Sequence, residues 1–150
     1  MGGKGRRSRK RSVASSKSKQ LEPLVFFLDR SLGKEIIANA LRAAGAEVRI
    51  HDDLFAQDAR DEEWLPKVGK LGWTVLTKDS HIKHRLVERT ALLESGVRAF
   101  VLVSGNLTGP EMADIFVKAL PKMNRFAVKH LPPFIAKIHR DGSIQSWVSE

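Results

Sequence analysis

The chain has 150 residues, of which 42% are hydrophobic, so its length and composition allow one domain with a substantial core. It contains no cysteine, which excludes disulfides, cysteine-ligated zinc and a thiol nucleophile, and which fits a reducing, cytoplasmic location. No apolar run exceeds five residues, which argues against a membrane span, and no hydrophobic segment follows the basic start, as a cleaved secretion signal would require.

The formal net charge of +9 is concentrated at the start of the chain. Residues 1–20 hold eight Lys or Arg and no acidic residue, whereas the remaining 130 residues hold 18 basic and 17 acidic ones. A cationic segment with so little to bury cannot repay the entropy of ordering. We therefore predict a disordered basic tail over residues 1–20, followed by one domain over residues 21–150. The tail could bind nucleic acid, act as a localisation or partner-binding arm, or contribute little.

Strands and helices alternate along the first part of that domain. Residues 24–28 read as a fully buried strand, because apolar residues occupy both of its faces. Ser31 is placed to cap a helix over residues 32–44, which a glycine then ends. A short second strand is predicted over residues 47–51, and a polar loop over residues 52–59.

The middle of the chain continues the alternation. A helix that starts at Asp58 or Asp61 is expected to end before Gly72, and a third strand follows over residues 73–77. Residues 81–90 read as a short helix.

The last part of the chain begins with a predicted strand over residues 98–103. Thr108 and Glu111 form a capping-box pair, which opens a helix that continues to about residue 130. The end reads as a hairpin, with strands over residues 134–139 and 143–148.

This order of elements predicts an α/β fold, a three-layer α/β/α sandwich with a mainly parallel central sheet and a C-terminal β-hairpin. Right-handed crossovers place the carboxyl ends of all parallel strands on one edge of the sheet. Two predicted strands are followed there by aspartates, Asp29 and Asp79, and a third by the loop over residues 104–106.

Three carboxylates, Asp29, Asp61 and Asp79, are candidates to meet at that edge. At an effective dielectric constant of about 20, each close pair would cost roughly 3 kcal/mol. Mg²⁺ or Mn²⁺ removes this repulsion and prefers oxygen ligands, and such an ion suits phosphoester hydrolysis. The alternative is that each aspartate is a helix cap or turn residue, which is a common role for this residue type.

The segment from Phe26 to Arg85 resembles the PIN-like nucleases, particularly the compact branch related to VapC-type toxins. Three motifs carry the resemblance, and they occur in the family's order: Leu28-Asp29-Arg30-Ser31-Leu32, Asp61-Glu62-Glu63-Trp64-Leu65 and Trp73-Thr74-Val75-Leu76-Thr77-Lys78-Asp79. The resemblance implies a PIN-like fold and a metal-dependent endoribonuclease, with RNA as substrate.

The resemblance also implies roles for particular residues. Asp29, Asp61 and Asp79 would be catalytic metal ligands for Mg²⁺ or Mn²⁺, with Glu62 as a further acid, and Thr77 would orient one carboxylate through a hydrogen bond. Where the family often has another acid after Asp79, this chain has His81.

Basic and polar residues near the third and fourth strands are candidate substrate-binding groups: Lys78, Lys83, Arg85 and Asn106. They could equally form a solvated charged face. By resemblance, the chain would be the toxin of a toxin–antitoxin pair, with a cognate antitoxin as partner, and homodimers are common for such domains. The alternative is a non-catalytic PIN-like module that binds nucleic acid or protein.

Overall fold

The computed structural model describes residues 24–78, 86–103 and 105–149. One six-stranded sheet forms its centre, in the order β2-β1-β3-β4-β5-β6. The first five strands are parallel, and β6 runs antiparallel to β5. The strands are β1 (Val25–Leu28), β2 (Glu47–Ile50), β3 (Thr74–Thr77), β4 (Arg98–Leu102), β5 (Phe134–Ile138) and β6 (Ile144–Ser149).

Helices cover both faces of the sheet, so the predicted three-layer α/β/α sandwich with a C-terminal hairpin is confirmed. The helices are a 3₁₀ turn (Arg30–Leu32), α1 (Ile36–Ala43), α2 (His51–Leu54), α3 (Asp61–Lys70), α4 (Leu86–Glu94) and α5 (Gly109–Lys129). Helices α1 and α5 pack on one face, and α3 and α4 pack on the other.

The core is divided between these two faces by the alternation of side chains along each strand. In β1, Phe26 and Leu28 join the cluster under α1 and α5, whereas Phe27 joins the cluster under α3 and α4. All three side chains are at most 1% exposed. A strand buried on both faces is expected to be apolar throughout, as this one is.

The first helix differs from its prediction over residues 32–44. The structure has a 3₁₀ turn that Asp29 caps, rather than a helix that Ser31 caps, and α1 begins only at Ile36. Gly33 separates the two, because its φ of 76° lies in the left-handed region that interrupts a helix. Ile36, the first residue of α1, is 54% exposed.

Other boundaries shift by smaller amounts. The predicted polar loop over residues 52–59 contains most of α2, which His51 starts. Helix α3 begins at Asp61 rather than Asp58, and α4 continues past residue 90 to Glu94. The predicted start of α4, at residues 81–85, lies outside the described residues, as does the predicted tail over residues 1–20.

The last helix and the hairpin follow their predictions closely. Thr108 accepts the N–H of Glu111 at 3.2 Å, and the Glu111 carboxylate accepts the N–H of Thr108 at 2.8 Å, which completes the capping box at the start of α5. The two hairpin strands pair from Phe134↔Ser149 to Ile138↔Ile144. None of the helices in the described residues is both long and apolar enough to span a bilayer.

Candidate functional site

The order of the strands creates a crevice at the carboxyl ends of β1 and β3. From β1 the chain continues to β2 on one side of it, whereas β3, β4 and β5 are added on the other side. In open α/β sheets, ligands bind where the strand order reverses in this way, outside the carboxyl ends of the strands. Asp29 directly follows β1, and its N–H donates to the carbonyl of Leu76 in β3 at 3.2 Å. The crevice therefore lies directly beside Asp29.

Ser31 connects the ends of these two strands. Its N–H donates to Oδ1 of Asp29 at 2.9 Å, and its hydroxyl donates to the same oxygen. The Ser31 Oγ also lies 3.3 Å from Oγ1 of Thr77 and accepts the N–H of Lys78 at 3.3 Å. One side chain thus fixes the orientation of the Asp29 carboxylate relative to the end of β3.

The groups gathered here are oxygen donors of the kind that a hard cation prefers. Asp29 is half-buried and therefore accessible, whereas Thr77 is only 1% exposed and contacts Ser31 from within the sheet. Mg²⁺ and Mn²⁺ favour carboxylate oxygens held in fixed positions. The described part of this site therefore fits such an ion, with Asp29 as the candidate ligand.

The predicted metal ligand Asp61 and the further acid Glu62 lie at the start of α3. This helix returns the chain toward the start of β3, so its first residue, Asp61, is on the side of the carboxyl edge. The Arg30 guanidinium donates to the carbonyl of Gln57, which ties the segment before α3 to the turn after β1. Glu62 is exposed.

The meeting of the three aspartates stays a prediction. The side chain of Asp61 and the whole of Asp79 lie outside the described residues. Among the side chains that are described, no group of three metal-ligating residues is found.

A pocket of about 280 Å³ opens next to this crevice, at the carboxyl ends of β3 and β4. Two predicted substrate-binding residues, Lys78 and Asn106, contribute to its lining, and both are exposed. Asn106 has a φ of 58°, a left-handed conformation that asparagine tolerates better than most residues. The other two predicted substrate-binding residues, Lys83 and Arg85, lie outside the described residues.

The rest of the pocket lining comes from the end of β4, the loop after it and the start of α5. These residues are Leu102, Val103, Gly105, Leu107 and Met112. The capping box holds this end of α5 in place, and the hydrogen bond from the Thr108 backbone N–H is the largest cause of the lowered pKa of Glu111.

Ser31 is the functional candidate that the sequence reasoning misassigned, because it was expected to cap a helix. A local signal was present, since Asp-x-Ser sequences form turns in which the serine donates to the aspartate two residues earlier. That signal does not reveal the contacts with Thr77 and Lys78, because these residues are 46 and 47 positions away in the chain.

Comparisons with known proteins point in one direction. The profile of a family described as "PIN like domain" matches residues 24–104, which include Asp29, Asp61 and Asp79. A curated protein of Mycobacterium tuberculosis, named "Putative ribonuclease VapC45", is 31% identical over 117 residues, which cover 75% of this chain and 84% of that protein. No solved structure matches the chain significantly.

Proposed function

This chain belongs to the PIN-like domain family, and we propose that it is a divalent-metal-dependent endoribonuclease that acts as the toxin of a toxin–antitoxin pair. The observation that carries the proposal is the Asp29 carboxylate, which Ser31 holds at the reversal point of the sheet beside Thr77 and Lys78. The relative named as a ribonuclease supports the reaction class.

The proposed metal centre consists of Asp29, Asp61 and Asp79, with Glu62 as a further acid at the start of α3. Mg²⁺ or Mn²⁺ bound there would withdraw electron density from the phosphate and lower the pKa of the attacking water. Ser31 fixes one oxygen of Asp29 through two hydrogen bonds, which limits the orientations available to that carboxylate.

Substrate binding is assigned to groups around the same edge of the sheet. Lys78 and Asn106 line the pocket, and Lys83 and Arg85 follow β3 in the sequence. Positive side chains beside an acidic metal centre position phosphates without selecting a base sequence. The expected substrate is therefore RNA, whose phosphates these side chains would contact.

The proposed partner is an antitoxin protein that covers this edge, and the proposed location is the cytoplasm. We also propose that residues 1–20 are a disordered tail and that residues 21–150 form the nuclease domain. With eight basic residues, the tail adds a long-range attraction for RNA.

A non-catalytic module that binds nucleic acid or protein is the second candidate. One feature favours it: His81 stands where the family often has a further acid. Replacement of a carboxylate by an imidazole lowers the negative charge of the site, which weakens attraction for a second cation.

Cleavage of RNA by the purified full chain distinguishes the two candidates. We expect cleavage with Mn²⁺ or Mg²⁺, none with EDTA, and a loss of at least about 100-fold in Asp79→Asn, which removes a carboxylate charge at nearly constant size. Glu94→Gln makes an equivalent change at the exposed C-terminal end of α4 and should cleave normally. Cleavage that persists in EDTA, or that is equal in both variants, would contradict the nuclease proposal.

A further inference from the structure

We propose that a row of four cations on α5 binds the phosphate backbone of the RNA strand that leaves the candidate active site. This proposal rests on the proposed ribonuclease function and extends it to a second contact surface. The row, called the α5 cationic stripe below, consists of Lys118, Lys122, Arg125 and Lys129.

Helical spacing brings the four residues onto one flank of α5. They follow one another at intervals of four, three and four residues, so each side chain lies one turn from the next. At 1.5 Å per residue, the stripe is about 17 Å long. Three of the side chains are exposed, and Lys122 is half-buried.

The flank with the stripe is distinct from the face of α5 that packs on the sheet. That buried face includes Phe116, Ala119 and Met123, each 0% exposed. None of the four cations forms an ion pair with another described residue. Like charges one turn apart destabilise a helix, so an unpaired row of this kind is a cost to the isolated protein that a bound polyanion would remove.

Within the described part of the chain, the acidic residues near the stripe lie toward its N-terminal end, close to Lys118 and Lys122. Asp114 is one turn before Lys118. The pKa of Asp141 is lowered, mainly by hydrogen bonds from Ser143 and to a smaller extent by the charge of Lys122. Arg125 and Lys129, at the C-terminal end of the stripe, have no described acid paired with them. The positive potential should therefore increase toward the C-terminal end of α5.

The stripe is continuous with the edge of the sheet that carries the candidate site. Helix α5 starts there, since Met112 lines the pocket beside Asn106. Lys118 lies against the β5–β6 turn, where its Cγ is 3.2 Å from the position that a Cβ on Gly142 would take. An RNA strand that leaves the pocket can therefore pass this turn and continue along α5.

A regular row of cations suits RNA better than an acidic protein segment. Phosphates recur at every nucleotide and are always charged, whereas acidic side chains on a protein are spaced irregularly. The experiment must distinguish binding of RNA by the stripe from binding of an acidic protein segment.

The test compares two double variants that remove the same charge. Lys122→Gln/Lys129→Gln removes two cations from the stripe, and Lys67→Gln/Lys70→Gln removes two exposed cations from α3, on the opposite face of the sheet. Binding of the full chain to a single-stranded RNA of about 16 nucleotides is measured by fluorescence anisotropy in EDTA, as a function of salt. Circular dichroism checks that both variants are folded.

The stripe variant should have a log–log salt slope that is shallower by about 1.4, because each neutralised phosphate contributes about 0.7 for single strands. Its loss of affinity between about 50 and 200 mM salt should then be about sevenfold smaller than that of the wild type. The α3 variant should keep the wild-type slope. Equal slopes in all three proteins would overturn the proposal and would leave an acidic protein segment as the partner that the stripe suits.

Kinetics separate this proposal from the proposed function. With Mn²⁺, the stripe variant should have a higher KM for the long RNA, an unchanged kcat, and an unchanged KM for an RNA of about 4 nucleotides, which is too short to reach the stripe. If the wild type does not cleave RNA but the slope depends on the stripe, the nuclease proposal fails and the binding surface stands. If the wild type cleaves and the slope is unchanged, the stripe proposal fails alone.

Discussion

Replacement of Ser31 by alanine should impair the candidate site more than it destabilises the fold. The change removes the hydroxyl that donates to Asp29 and accepts the N–H of Lys78. Hydrogen bonds to charged groups contribute about 1.5–3 kcal/mol. Because Asp29 is half-buried and Lys78 is exposed, water can replace part of what is lost, and we expect a loss of about 1.5 kcal/mol in the free energy of unfolding.

Ser31→Ala should affect RNA cleavage more strongly than it affects the stability of the fold. Groups that orient a metal-binding carboxylate typically change metal affinity or activity 10–100-fold, roughly, when they are removed. We therefore expect Ser31→Ala to cut RNA cleavage by about 10–100-fold and to reduce the rise in Tm that Mn²⁺ produces. Ser31→Thr retains the hydroxyl and should recover most of both.

The chain contains a matched control for this experiment. Ser143 makes the same local contacts with Asp141, since its N–H and its hydroxyl donate to Oδ1 at 2.9 and 2.6 Å. Ser143→Ala should lower the stability by about 1 kcal/mol and leave cleavage and the effect of Mn²⁺ unchanged. Equal loss of cleavage in Ser31→Ala and Ser143→Ala would refute the assignment of Ser31 as a positioning residue.

Two further predictions concern the scaffold. Gly69→Ala should destabilise the fold by about 1–3 kcal/mol in urea unfolding, because its Cβ would lie 1.9 Å from the carbonyl oxygen of Ser95. A Cβ at Gly105 would meet nothing within 4 Å, so Gly105→Ala should change the free energy of unfolding by no more than about 0.5 kcal/mol. The lowered pKa of Glu111 means that its stabilising contribution is present at neutral pH and is lost as the pH falls below the ordinary value of 4.5. The stability difference between wild type and Glu111→Ala should therefore shrink in urea titrations from pH 7 downward, and a difference that grows on acidification would contradict this sign.

The overall fold could be predicted because its signals are local and mutually consistent. The strand β1 is apolar on both faces, and the capping box at Thr108 and Glu111 marks the start of α5 in the sequence itself. The start of α1 could not be predicted equally well. There, the Asp29 cap and the left-handed Gly33 produce a 3₁₀ turn before the helix, although the apolar spacing alone favours a helix from residue 32.

The position of Asp29 at the carboxyl edge of the sheet could be predicted from the sequence. A carboxylate after a buried strand, in a parallel sheet, must lie at the carboxyl edge, and Asp29 does. What could not be predicted is the order of the strands in the sheet. That order makes β1 and β3 neighbours, and it therefore brings Ser31 within hydrogen-bonding distance of Lys78.

The two Asp-x-Ser turns of this chain show why position decides the function of such a motif. In Asp29-Arg30-Ser31 and in Asp141-Gly142-Ser143 the serine makes the same hydrogen bonds to the aspartate, so these local hydrogen bonds do not distinguish the two turns. The second turn joins two antiparallel strands at the edge of the sheet, where its carboxylate faces solvent and nearby cations. The first follows a central strand at the reversal point, where the serine meets a neighbouring strand and the carboxylate is held beside a pocket. A turn becomes a candidate metal ligand through the topology around it, and the paired Ser31 and Ser143 variants test that dependence directly.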